Sequence, residues 1–340
     1  MPVVPNPGIR IDGKLNNPRA ATRKNLSTDM KVGRQNIFDY TDSAVSDGST
    51  DARAAILASD AVGPVLLPPG TYAIASNTAI TNRVTFDPGA KLKPASGVTI
   101  TLSGGYIAEN TQHVFDISAG GSFIIRNMSE LWGAHFGAIG DYSYPATGTD
   151  NSTVLQALFD TTNEMAQAVG SVARKQAWAK LHPGSYRCNS GLTVGNYVNL
   201  DMSGVLLMYF GSRASSEAFL TIGETGGAIE TGTFYMPAIQ GSPFDFDMPA
   251  NEVNFAGIHL KNCGSSIFYG DYTYAFGIGL LLKSDGDSYV AHNHFINFKF
   301  SIVKTAIEFF GTSLIGWVNE NVFTNCNWTA TSTENGWGTL

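Results

Sequence analysis

Two segments, "HNHFINFKF" at residues 292–300 and "ENVFTNCNW" at 320–328, carry Asn-x-Phe-x-Asn in the same frame. Asn293, Phe295 and Asn297 reappear as Asn321, Phe323 and Asn325, each at an offset of 28 (321 − 293). A strand-forming period of this length with no helix in it is the signature of a solenoid, here a parallel coil of strands. Successive turns of such a coil lie about 4.8 Å apart, so equivalent positions form ladders. Phe ladders then fill the interior, and Asn ladders hydrogen-bond along the stack. "GIHLKNC" at 257–263 reads as an earlier, poorer copy.

A second repeat lies upstream. "LLPPGTYAI" (66–74) and "KLHPGSYRC" (180–188) share Pro-Gly-x-Tyr at an offset of 114 (183 − 69). Phe86 and Leu200, Asp87 and Asp201, and Leu92 and Leu206 keep that offset. Each copy follows a Thr-Asp pair (Asp51, Asp150) and a short apolar run, Ala55-Ile56-Ala58 or Val154-Leu155-Leu158-Phe159. Asp favours a helix start, and the second run has helical spacing. Pro fixes φ and Gly permits φ > 0, so Pro-Gly turns the chain sharply between strands. Each module therefore encodes a helix, a strand, a tight corner and further strands. The chain enters a strand stack twice, and each time a helix covers the otherwise open end.

Charged residues make up only 14% of the 340, with Gly, Ser, Thr and Asn in their place, which suits turn-rich β structure and not a helical bundle. The net charge of −7 lacks the basic footprint of a nucleic-acid binder. It also repels acidic polymers, which would need a local basic or polar groove. No stretch has the length of a membrane span, and "MPVVPNPGIRIDGK" has no apolar core of a secretion signal. Cys188, Cys263 and Cys326 are widely spaced and odd in number, which reads as free thiols in a chain made in a reducing cytoplasm.

Residues 1–35 form a basic, Pro-rich arm that does not fold alone; it is either a solvated tail or an attachment arm that orders on a partner. The β-rich first module spans 36–128 and the coil 129–340.

The stretch "AHFGAIGDYSYPATGTDNSTVLQAL" (134–158), with "VTFDPGAKLKP" and "HVFDISAGGSF" before it, resembles the opening of the pectate-lyase-like β-helix superfamily. The chain is similar, over about residues 36–340, to bacteriophage tailspikes with capsule-depolymerase activity. It departs from that pattern where "YSYPATG" separates Gly140-Asp141 from Thr149-Asp150. The resemblance implies a homotrimer located in the virion tail. It would be held by a tail or baseplate protein through residues 1–35 and would act on polysaccharide at the bacterial cell surface. Repeat and resemblance together predict an all-β fold: a right-handed, single-stranded parallel β-helix, preceded by the small β-rich module and a capping helix at about 150–169. The β-helix reads as incomplete at its C-terminal end.

Asp141 and Asp150 read as turn and helix-cap residues, Gly137 and Gly140 as corners. If Phe295 points inward, His292 and His294 point outward, and Glu320 falls beside His292 one turn later. A carboxylate beside an imidazole makes an acid/base pair, and is equally an ordinary cross-strand surface pair. Asp285 and Asp287 in "SDGDS" lie just before the histidines, in turn-forming context. Asp245 and Asp247 in "PFDFDMP" are the runner-up carboxylates, with Glu320 or Glu252 as second partner, since glycoside hydrolysis takes two. The predicted catalytic set is thus Asp285, Asp287, His292 and Glu320. Phe268, Tyr269, Tyr272, Tyr274 and Phe276 crowd one segment, so some must be exposed, and Tyr269, Tyr272 and Tyr274, with His294, are the predicted sugar contacts. No motif calls for a cofactor, and His292-x-His294 alone does not make a metal site. Three readings stay open: a hydrolase or lyase that depolymerises capsule, a non-cleaving polysaccharide-binding adhesin, and the virion-anchoring part of a longer tail protein.

Overall fold

Two parallel coils of short strands make up the chain in the computed structural model, which describes residues 35–39, 43–144, 147–167, 177–213, 217–223, 229–241, 254–284, 289–311 and 317–329. The basic arm lies outside the described residues except for Gln35.

The first coil has three sides. One stacks Gln35–Asn36, Val65–Leu67, Val84–Phe86 and Tyr106–Ile107; the second Asp47–Asp51, Gly70–Ile74 and Ala90–Pro94; the third Thr78–Ile80, Thr99–Leu102 and Ser122–Ile125. The strand ladders are parallel. Helix α1, Arg53–Asp60, buries Ala55 and Ile56 at its start. The expected small β-rich module is thus itself a parallel coil.

The second coil begins at Glu130–Trp132. Side one stacks that strand with Ala177–Lys180, Val198–Asp201, Thr233–Tyr235, Ile267–Tyr269, His294–Ile296 and Val322–Thr324. Side two carries Gly184–Cys188, Val205–Tyr209, Ala238–Gly241 and the first residues of the long strands Tyr272–Ser284 and Lys299–Gly311. Side three carries Leu192–Val194, Ala218–Ile222, Ala256–Lys261 and the remainder of those long strands. A short fourth edge stacks Ile229–Glu230, Cys263–Gly264, Tyr289–Ala291 and Trp317–Asn319. Parallel strands need crossovers, and here each crossover is the rest of the turn, so local strand pairing is never available.

Helix α2, Ser152–Gln167, lies against Ser122–Ile125 of the first coil and Leu192–Val194 of the second. Its buried face is Leu155, Leu158, Phe159 and Met165. It covers the start of the second coil, as predicted, and the last strand of the first as well. One buried apolar cluster runs from Ile37 to Phe300 through both coils. Asp150 Oδ1 accepts the N–H of Ser152 (3.0 Å) and of Asn189 (3.1 Å), tying the helix start to the coil below. Asp141 accepts the Thr149 N–H and Oγ1–H, both at 2.8 Å, and closes the inserted loop. Gly137 is a corner at φ +89°. Gly140 is not a left-handed corner; its missing side chain makes room for the Tyr186 ring, which would lie 3.2 Å from a Cβ there.

The repeated Pro-Gly-x-Tyr phrase closes the same corner twice. Tyr72 Oη donates to the Pro68 carbonyl (2.8 Å), and Tyr186 Oη donates to the His182 carbonyl (2.9 Å). Both rings are buried. The 114 offset ends at the following corner. Tyr72 pairs with Leu92, but Tyr186 pairs with Leu207, so Leu206 is not the counterpart of Leu92. Asp201-Met-Ser-Gly is followed by Val205, and Asp87-Pro-Gly by Ala90, so the second corner is one residue longer.

The Asn-x-Phe-x-Asn repeat sets the register as predicted: Phe295 pairs with Phe323. Its earlier copy is Ser266-Ile267-Phe268, because Phe268 pairs with Phe295. "GIHLKNC" is a side-three strand and belongs to a different ladder. The Asn residues stand at corners and not on the strand. Asn297 and Asn325 take φ of +63° and +54°, which Asn tolerates, and Asn325 Nδ2 donates to Asn297 Oδ1. Asn293 is fully buried and is satisfied within the stack: its Nδ2 donates to the Cys263 carbonyl (2.8 Å) and to Asn321 Oδ1 (3.0 Å).

Candidate functional site

The outer face of side one follows from strand alternation. The middle column, Leu131, Ala179, Leu200, Phe234, Phe268, Phe295 and Phe323, points inward. The flanking columns therefore face out. They are Glu130, Trp178, Asn199, Thr233, Ile267, His294 and Val322 on one margin, and Trp132, Lys180, Asp201, Tyr235, Tyr269, Ile296 and Thr324 on the other.

Aromatic rings form a row on this face. Tyr235 and Tyr269 stack with centroids 5.0 Å apart and planes 11° from parallel. Trp178 reaches past the intervening strand Val198–Asp201 to lie 6.2 Å from Tyr235. Tyr235 and Tyr269 are 38% and 36% exposed, so their edges and hydroxyls meet solvent. Trp132 stacks on His182 at 4.5 Å at the near end. Lys180 Nζ lies 5.3 Å from the Trp132 ring centre and 2.7 Å from Glu130 Oε2. That lysine hydrogen bond holds the Glu130 carboxyl below its ordinary range, against the opposing effect of partial burial.

Beyond the corner at Gly270-Asp271 the aromatics continue onto side two. Tyr272 and Tyr274 stack at 5.5 Å. Burial, then the neighbouring Tyr272, pushes the Tyr274 phenol up. The crowded segment divides at its corners: Phe268 and Phe276 are core, Tyr269, Tyr272 and Tyr274 reach the surface, and the alternation that exposes Tyr272 and Tyr274 is reset at Ala275, whose φ is +60°. Trp178 and Tyr235 were not found from the sequence, because each stands in a separate short segment.

His292 and Glu320 meet as predicted, Nδ1 to Oε2 at 2.8 Å. They do so at a corner and not on a strand: both have positive φ, +58° and +50°. The pair is open to water, with side chains 49% and 63% exposed. Trp317 lies edge-on to His292 at 6.3 Å. His294 points outward and its Nε2 is 2.7 Å from Thr324 Oγ1. Asp285, Asp287, Asp245, Asp247 and Glu252 lie outside the described residues.

A cleft of about 710 Å³ runs along the outward stripe of α2, lined by Gln156, Asp160 and Glu164 and by Ser122, Phe123 and Ser190. Gln156 clamps the helix to the Thr193 backbone and donates to Asp160 Oδ1. Burial raises the Asp160 carboxyl. None of the predicted site residues lines this cleft. Among the described residues no three His, Cys, Asp or Glu side chains converge as a metal site, and no helix is long and apolar enough to cross a membrane. The Cys188 and Cys263 thiols are pushed up by burial, Cys263 to about 12, so neither is a nucleophile at neutral pH.

No family model and no curated protein matches the chain. The crystal structure of PfbA, a surface adhesin of Streptococcus pneumoniae, aligns over 87% of this chain and 92% of that one at 10% identity, with a TM-score of 0.31. A likeness at that level transfers neither site nor activity.

Proposed function

We propose that this protein is a polysaccharide-binding adhesin of tailspike-like build that holds bacterial surface glycan along the outer face of side one. The Trp178–Tyr235–Tyr269 row carries the reading. Aromatic edges pack against sugar C–H surfaces while the tyrosine hydroxyls hydrogen-bond, the mixed character that places Tyr and Trp at binding surfaces. A flat, repeating face also suits a repeating polymer better than an enclosed pocket does. The resemblance to tailspikes adds trimeric assembly and attachment of residues 1–35 to a virion tail or baseplate protein, with action at the bacterial cell surface. The test is retention of purified capsular polysaccharides by the full chain and by a Tyr235→Ala/Tyr269→Ala variant. Binding should fall about tenfold or more, equivalent to about 1.4 kcal/mol lost over the two rings. Unchanged binding in a folded double variant removes the reading.

Depolymerisation is the second reading, and the 2.8 Å His292–Glu320 pair favours it. An imidazole and a carboxylate in contact supply the proton transfer that either a hydrolase or a lyase needs.

A further inference from the structure

We infer that side one is built for an uncharged glycan and that Glu130 sets this selectivity. The inference rests on the polysaccharide-binding reading and names the substrate class of the same face. Among the described residues facing outward on side one, Lys180 is the one lysine or arginine. It is already committed. Its Nζ is 2.7 Å from Glu130 Oε2 and its other side lies over Trp132. Glu130 is held in place from its second oxygen, where Oε1 accepts the Trp132 Nε1–H at 3.2 Å. Asp201, the register partner of Lys180, adds a further carboxylate at the same margin. Its Oδ1 accepts from Ser203 Oγ, a neutral donor.

The face therefore offers an acidic glycan no uncommitted lysine or arginine and one surplus carboxylate beside the ring row. A uronate seated there would lose hydration and meet a like charge, inside a chain of net charge −7. A neutral glycan meets no like charge and gives up only the weaker hydration of its hydroxyls. Its hydroxyls find donors and acceptors in Tyr235, Tyr269, Thr233 and Thr324, all on the same face.

The test uses a matched pair of probes: a neutral capsular polysaccharide, and the same polymer after its primary hydroxyls are oxidised to carboxylates. Binding of both polymers is measured at pH 8 and low salt, where the added carboxylates are ionised and little screened. Wild type should lose about tenfold in affinity on oxidation of the polymer, equivalent to about 1.4 kcal/mol. Raised salt should recover part of that loss through screening. Glu130→Gln keeps an acceptor for Trp132 but releases Lys180, so its discrimination between the two polymers should shrink to about twofold. Equal or tighter wild-type binding of the oxidised polymer, still dependent on Tyr235 and Tyr269, overturns the selectivity while leaving the polysaccharide reading intact. Failure of both polymers to bind in a Tyr235- and Tyr269-dependent way removes that reading and the selectivity with it.

Discussion

Phe295 and Phe323, equivalent positions of the Asn-x-Phe-x-Asn repeat, stack inside the coil with centroids 4.8 Å apart and planes 10° from parallel. The row continues through Phe268 to Phe234 at 5.0 and 4.5 Å. Phe295 is 1% exposed and has a ring on each side, so no neighbour can close the space it would leave. Phe295→Ala should cost about 3–5 kcal/mol, measured by denaturant unfolding. Phe323, only partly buried, should cost less. Equal small losses at both would mean the ring row contributes little to the stack.

What the sequence disclosed and what it concealed divide along physical lines. The Phe295–Phe323 step was legible because both turns carry Asn-x-Phe-x-Asn around the ring. The Phe234–Phe268 step was not. Its offset is longer (268 − 234), since the excursions between strands vary freely outside the coil. A variable loop costs little free energy, so the period drifts while the ladder persists. The same drift hid the aromatic row. Trp178 and Tyr235 stand two turns apart in the chain, and only the summed turn lengths bring them together. His292 beside Glu320 was legible for the same reason as the phenylalanines. Their left-handed corner was not, because glutamate does not signal positive φ, and histidine, though enriched there, is far more often found at negative φ.

The doubled tyrosine corner predicts paired effects. Tyr72→Phe and Tyr186→Phe each remove one buried hydrogen bond to a carbonyl four residues back. Each should destabilise by about 1 kcal/mol, and the double variant by about the sum, because the two corners belong to different coils. A chemical-denaturation series on the three variants measures this. A clear excess over additivity would show that the coils communicate through α2.

His135 predicts acid sensitivity. It is 3% exposed, with Nδ1 2.6 Å from Tyr106 Oη and Nε2 3.1 Å from the Glu109 carbonyl. Burial lowers its pKa to about 4, and the His182 charge adds to that. The unfolded chain therefore takes up a proton near pH 6.5, before the folded one does, and stability falls as pH drops from 6.5 toward 4. The loss should be about 2 kcal/mol by pH 5, at 1.36 kcal/mol per pH unit. Thermal unfolding at pH 7 and pH 5 measures it, and His135→Gln should flatten the difference. An unaltered pH response in that variant would assign the sensitivity to other groups.

The chemistry of the His292–Glu320 corner separates the two functional readings. The pair sits at the strand-start margin of side one, whereas Tyr235 and Tyr269 sit at the strand-end margin. Removing either member should therefore leave glycan retention unchanged within about twofold, since an exposed ion pair contributes roughly 0–1 kcal/mol to stability. Cleavage is read separately, as new reducing ends and new ultraviolet absorbance from capsule. The adhesin reading expects neither signal from wild type. If wild type does give one, Glu320→Gln and His292→Ala should each lower it by about a hundredfold or more, the usual contribution of a positioned acid/base group. Absorbance would mark β-elimination at a uronate and would also contradict the neutral-glycan selectivity; reducing ends alone would mark hydrolysis. Cleavage that persists in both variants would move the chemistry away from this corner. The next candidates are the carboxylates of the α2 cleft, where Asp160 carries a raised pKa and Glu164 is paired with Arg126 at 3.1 Å.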